Sequence, residues 1–222
     1  MKTRSKYLLE ILVLRIFQKN LKIEQIEIGT DKDSWPLPSN LPKKGAALLV
    51  GVGEDVNLEE YLIELGWICY CMDPTPRAIE YFKKKFNSNP SISLIEKGLS
   101  DHVGYAKFYF PRNPDHVSLS AVNLQSTDKY IELEITNLIH VLQDLELESF
   151  DLVKLDIEGL SVRVINDMLK MELRPKYLLV DFEYPTGIFN LLRVNILLKR
   201  HRYKLVSRIK RECLYLHSEI DS

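Results

Sequence analysis

Cysteine is scarce in this chain: three residues in 222, at Cys69, Cys71 and Cys213. That number and spacing exclude a disulfide framework and read as buried free thiols of a reducing compartment, the cytoplasm. Two thiols at 69 and 71 make no metal site alone, whichever way they point. No excess of either charge is present. Thirty basic and 31 acidic residues leave a net charge of -1 and a pI near 6.5. The composition gives no general electrostatic reason to bind nucleic acid. Repeats and low-complexity tracts are missing. So is an apolar run of membrane-spanning length. Residues 7–17 come nearest, and Glu10 interrupts them. Lys2, Arg4 and Lys6 precede that run as in a signal peptide, but no small-residue cleavage site follows. Residues 5–19 are therefore expected to form an amphipathic helix that packs on the domain or on a partner, a second copy included. A membrane-surface helix is the alternative.

What is present is ordinary for a globular protein: 45% hydrophobic and 27% charged residues. The length suits one well-buried domain. Residues 1–45 read as a helix, a short strand from Lys22 to Gly29 and an irregular lead-in rich in proline, with Trp35 at the mouth of a site or over a sheet edge. The domain proper is expected over 46–222. Strand and helix alternate there: strand from Ala46 and helix to Leu65, closed by Gly66; strand 67–72 and helix 77–86, with Thr75 as cap and Pro76 in its first turn; strand 91–97. Strands at 105–110 and 131–135 then flank a long polar loop, 111–129, of a length that is usually functional or mobile. Thr136 is expected to cap a short helix. Strand 150–156, helix 160–171, strand 176–183, helix 188–200 and a strand pair at 203–217 complete an α/β sheet of about seven strands ending in a hairpin.

In such sheets ligands bind beyond the C-terminal strand ends, near the point where strand order reverses. The polar residues fall there: Gly51, Gly53, Asp73, Ser100, Asp101, Asp156, Glu158 and Glu183. The strand–turn–helix around Gly51-Val52-Gly53-Glu54-Asp55 is the centre of the pattern, because glycine lets a ligand approach the backbone. A dinucleotide fingerprint would carry a third glycine, and Glu54-Asp55 would repel a pyrophosphate. This weighs against a nicotinamide-dependent oxidoreductase. Acids favour a cofactor with an ammonium and a sulfonium, which points to S-adenosylmethionine. Asp73 lies 20 residues after Gly53, where a carboxylate can accept from both ribose hydroxyls; a helix cap or a solvated loop acid is the plainer role.

Several of these stretches together resemble the FkbM-type methyltransferases. They are the 51–55 turn, Asp73-Pro74-Thr75-Pro76, the region from Gly98-Leu99-Ser100 to Phe110, Asp115-His116-Val117-Ser118, Leu152-Val153-Lys154-Leu155-Asp156-Ile157-Glu158-Gly159 and Val180-Asp181-Phe182-Glu183. The resemblance spans Trp35 to Glu183. Many members read Gly-Ala-Asn-x-Gly at the first turn, where this chain ends in Glu54-Asp55. The resemblance implies a single-domain class I methyltransferase (Rossmann-like) fold: a seven-stranded, mostly parallel sheet with a C-terminal antiparallel hairpin. It implies S-adenosylmethionine held by Gly51, Gly53, Glu54 or Asp55 at the amino group, Asp73-Pro74 at the ribose, and Ser100 and Asp101 at the adenine. Asp156 would stand beside the transferred methyl. The reaction implied is O-methylation of a sugar, glycan or small molecule.

Asp156, Glu158, Glu183 and His116 are the candidates for taking the hydroxyl proton. The three carboxylates would also suit a divalent cation. Glu158 as a helix cap and His116 as a solvated loop residue are the plainer readings. His102, His140, His201 and His217 have no evident partner in the sequence. A methyltransferase-like module kept only for binding is the non-enzymatic alternative.

Overall fold

A computed structural model describes residues 2–19, 23–30, 34–111, 119–123, 127–157, 159–182 and 186–218, with side chains from residue 6 onward. Its helices are α1 (Lys2–Phe17), α2 (Asn57–Glu64), α3 (Pro76–Lys85), α4 (Leu138–Asp144), α5 (Ser161–Lys170) and α6 (Ile188–Arg200). The strands are β1 (Gln25–Gly29), β2 (Ser34–Pro38), β3 (Ala46–Val50), β4 (Ile68–Met72), β5 (Ile92–Ile95), β6 (Gly98–Ser100), β7 (Gly104–Tyr109), β8 (Tyr130–Asn137), β9 (Leu152–Leu155), β10 (Tyr177–Asp181), β11 (Tyr203–Ile209) and β12 (Glu212–His217).

The apolar runs build the main sheet. A strand buried on both faces has no need to alternate, and β3, β9 and β10 are apolar at nearly every position. Their side chains divide between two cores by the period of two. Leu48 and Val50 point with Val153, Leu155, Leu178 and Val180 toward α1, α4, α5 and α6. Ala47 and Leu49 point with Leu152 and Leu179 toward Leu58, Leu62, Phe82, Trp35 and Leu37. The order is β11-β12-β10-β9-β3-β4-β5, parallel except for β12, which runs against β10 and β11. Strand order reverses between β3 and β9, the central pair. The loops after these two strands therefore face one crevice.

Five local expectations need correction. Residues 31–45 are not all irregular: β2 pairs antiparallel with β1. Pro36 and Pro38 are tolerated because β2 has no second neighbour in that two-stranded sheet. The strands at 104–109 and 130–137 do not join the main sheet. With β6 they form a separate one, ordered β6-β8-β7. Thr75 is the N-cap residue of α3, as expected, but its side chain makes no capping hydrogen bond. Asn137, not Thr136, caps α4, its side chain accepting from the His140 amide at 3.1 Å. The N-terminal helix is less amphipathic than expected. Val13 and Leu14 are buried, but Leu8, Leu9, Leu12 and Ile16 are exposed.

Glu10, the residue that breaks the apolar run, is buried in α1. Its carboxylate accepts from the Gly187 amide at 2.8 Å and pairs with the Arg211 guanidinium. That pair ties α1 to the start of α6 and to the β11–β12 turn.

All three cysteines are free and buried. Burial, and then the charge of Glu59, pushes the Cys69 thiol from 9.0 up to about 12 and raises Cys71 as well. Burial also raises Cys213. The thiolate is the reactive form. Ellman's reagent at about pH 8 is therefore expected to find none of the three thiols in folded protein and all three in denaturant. Reaction of any thiol without unfolding would contradict this. For Cys69 the unfolded chain ionises first between 9.0 and about 12. Its contribution to stability is thus full below that window and falls as the pH rises through it.

Candidate active site

The crevice is built from three strand ends. Gly51 follows β3, Asp73 follows β4 and Asp156 follows β9. The Gly51 amide donates to the Met72 carbonyl at 2.9 Å, and the Asp156 amide donates to the Val50 carbonyl at 3.0 Å. Both glycines of the turn take positive φ, +81° at Gly51 and +59° at Gly53. They are required for different reasons. A Cβ on Gly51 would lie 1.9 Å from the Asp156 carbonyl oxygen. The need at Gly51 therefore comes from the neighbouring strand end, not from a ligand. A Cβ on Gly53 would meet no protein atom within 4 Å among the described residues. Of the two, Gly53 is the one whose open side faces away from protein.

Asp73 is buried and holds the turn. Its Oδ2 accepts from the Val52 amide at 3.1 Å and the Gly53 amide at 3.2 Å. Its Oδ1 accepts from the Thr75 amide at 2.9 Å and the Thr75 hydroxyl at 2.6 Å. A carboxylate offers about four lone-pair sites, and these donors fill them. A ribose hydroxyl would have to compete with one. Pro74 packs on Gly98, where a Cβ would lie 3.4 Å from its ring. That contact joins the end of β4 to β6.

The remaining acids have partners. Glu54 takes a two-point contact from Arg77, 2.7 Å at each oxygen. The pair is exposed and correspondingly weak, so a cofactor ammonium can compete for the carboxylate. Asp55 accepts from the Asn57 amide at 3.2 Å and from the Thr30 hydroxyl at 3.2 Å. It orders the entry to α2. Ser100, buried at the end of β6, donates to Asp101 at 3.1 Å. His102 has a partner after all. Its Nδ1 lies 2.9 Å from Asp101, and that hydrogen bond holds the Asp101 carboxyl below its usual range. His140, His201 and His217 are likewise engaged, by Asn137, Arg174 and the Tyr203 ring.

Sequence reasoning missed Lys154. It is buried mid-strand in β9. Its Nζ donates to the Gly51 carbonyl at 2.8 Å, lies 3.5 Å from Asp156 Oδ2 and sits 5.0 Å over the Trp35 ring. One ammonium thus ties the glycine turn to the candidate catalytic acid, and Trp35 lies beneath the site, not at its mouth. The available signal was a lone charge inside an apolar strand, which the interior accepts only when paired. Lys154→Met is expected to cost about 1–3 kcal/mol, because the Gly51 carbonyl loses its donor. A wild-type melting temperature in that variant would contradict the role.

The long loop was also under-read. Ser120 bridges to Tyr109, and Val122 presses on Gly159, where a Cβ would lie 2.4 Å from it. Residues 119–123 therefore rest on the turn that follows Asp156. His116, Glu158 and Glu183 lie outside the described residues. Among the described residues no group of three His, Cys, Asp or Glu side chains is placed to hold a metal. No described helix is long and apolar enough to cross a membrane.

Strand order, the reversed seventh strand and the acidic, glycine-turned crevice define a class I methyltransferase fold. A sequence model of the methyltransferase FkbM domain matches residues 36–205. The chain belongs to that family and is an S-adenosylmethionine-dependent methyltransferase. Comparison with curated proteins gave no match. Solved structures that it resembles include monomeric WbdD, at 12% identity and TM-score 0.45, covering 78% of this chain and 36% of that one. The ribosomal protein L11 methylase of Lactobacillus delbrueckii subsp. bulgaricus matches at 12% identity and TM-score 0.45, covering 96% and 78%. The N-methyltransferase NodS of Bradyrhizobium japonicum WM9 matches at 16% identity and TM-score 0.39, covering 77% and 83%.

Proposed function

We propose that the enzyme methylates a hydroxyl oxygen on a sugar, glycan or small molecule. The observation that carries this reading is the Asp156 carboxylate. It is partly exposed at the end of β9, directly beside Gly51, with the Lys154 ammonium 3.5 Å away. Bound S-adenosylmethionine supplies an electrophilic methyl group. The donor set suits it: Glu54, Asp55, Asp73, Asp101 and Asp156 give a cationic cofactor a favourable field, and Gly53 gives it an open stretch of backbone. Glu54 serves the amino group by exchanging Arg77 for it. Asp73 acts first through the turn that it holds.

An alcohol must lose its proton as its oxygen takes the methyl, and a carboxylate within hydrogen-bond reach can accept that proton. We assign this role to Asp156, with Glu158, Glu183 and His116 as the other candidates. A divalent cation held by Asp156, Glu158 and Glu183 would lower the hydroxyl pKa. Ser100 and Asp101 serve the adenine end, and residues 119–123 border the acceptor. The buried free thiols support the cytoplasm as its compartment. A methyl-transfer screen with labelled cofactor against nucleotide sugars, glycans and small alcohols tests the reading. Label in an ether-linked methyl is expected. Label found only on nitrogen would overturn O-methylation.

A further inference from the structure

The outer face of α1 and α6 is apolar where a solvent-facing layer should be polar. Along α1 the exposed stripe is Leu8, Leu12 and Ile16, with Leu9 beside it; along α6 it includes Phe189 and Ile196. Ile16 is 69% exposed and Phe189 87%. Both helices cover the same face of the sheet and pack against each other, so their outward stripes form one surface. An apolar patch of this kind marks an interaction site.

Its charges are of one sign. The exposed ionic residues on the two helices and just beyond α1 are Lys6, Arg15, Lys19, Arg193, Lys199 and Arg200. None of them takes part in an ion pair among the described residues. The single acid on either helix, Glu10, is buried against Arg211. A groove of about 470 Å³ continues the patch between α5 and α6, lined by Asn166, Arg193, Ile196, Leu197 and Arg200. It sets two guanidiniums around apolar side chains.

We infer that this face docks on a bilayer containing anionic phospholipid, with the leucines and Phe189 entering the interface and the arginines meeting headgroup phosphates. Two arguments select that occupant. A two-fold dimer through this face would oppose the same patch to itself, setting cations against cations with no acid from either helix to pair them. An anionic leaflet supplies both the opposite charge and an apolar layer to receive the side chains.

Vesicle flotation of the full chain tests the inference without reading activity. Vesicles of phosphatidylcholine with phosphatidylserine are expected to retain the protein at least ~10-fold better than phosphatidylcholine alone. Added salt is expected to release it. Leu12→Gln with Ile16→Gln should weaken retention ~10-fold or more. Arg193→Gln with Arg200→Gln should remove most of the preference for phosphatidylserine. All four positions are exposed at least in part, so unchanged melting temperatures will separate lost docking from lost folding. The inference is overturned by equal retention on both vesicle types, or by no retention on either. A lipid-free dimer in sedimentation that Leu12→Gln with Ile16→Gln dissolves would overturn it too.

Discussion

Asp156→Asn is expected to lower methyl-transfer turnover by about 10²–10⁴-fold, the usual worth of a positioned general base. The substitution keeps shape and removes only the charge and the basic oxygen. The Asp156 amide still donates to the Val50 carbonyl, and Lys154 keeps the Gly51 carbonyl as acceptor at 2.8 Å. The buried Lys154 ammonium loses its counter-charge at 3.5 Å, so some fall in melting temperature is expected as well, and turnover is compared on folded protein at saturating cofactor. A loss of turnover that persists under those conditions marks a base; a merely structural carboxylate would lower the melting temperature without it. If turnover is unchanged, the proton goes elsewhere, and Glu158, Glu183 and His116 remain to be tested in the same assay.

Gly51→Ala is expected to be the most damaging single methyl group in the site. Two costs add. The residue holds φ +81°, a conformation that costs an L side chain roughly 1–2 kcal/mol. The new Cβ would also stand 1.9 Å from the Asp156 carbonyl oxygen. That oxygen belongs to backbone and cannot swing aside. The β3–β9 ladder pairs Val50 with Leu155 immediately before it, so relief requires the two central strands to part. A loss of about 3 kcal/mol or more is expected. That is a fall of roughly 6–12 °C in melting temperature for a chain of this size, with cofactor binding lost alongside. Gly53→Ala is the control. It carries φ +59° but no clash, so it should cost only the backbone share. Equal destabilisation by the two variants would show that the close approach at Gly51 contributes nothing.

The parts of this fold that follow from burial were legible in the sequence. The runs at β3, β9 and β10 are apolar because both faces of the sheet are covered, and the loops between them mark the crevice. The β1–β2 hairpin was hidden by Pro36 and Pro38, which forbid a central strand but not an edge. The separate β6-β8-β7 sheet was hidden because strand propensity says nothing about partners. At the candidate site, Gly51 and Asp73 were singled out by their spacing, but the contacts that hold them were not. Gly51 answers to the Asp156 backbone, and Asp73 answers to the turn amides and Thr75. Such contacts join residues far apart in sequence, and only the fold brings them together. Lys154 and Val122 were missed for the same reason. Residues 5–19 were read as a helix, but not which of its sides the domain covers, so the apolar outer face of α1 became visible only in the fold.

The central claim is that the turn at 51–53 and the acids at the strand ends hold a cationic nucleoside. Calorimetric titration of the folded chain with S-adenosylhomocysteine tests it most directly. Saturable binding of one ligand per chain is expected, with no binding of NAD under the same conditions. No heat from S-adenosylhomocysteine, or tighter binding of NAD, would contradict it.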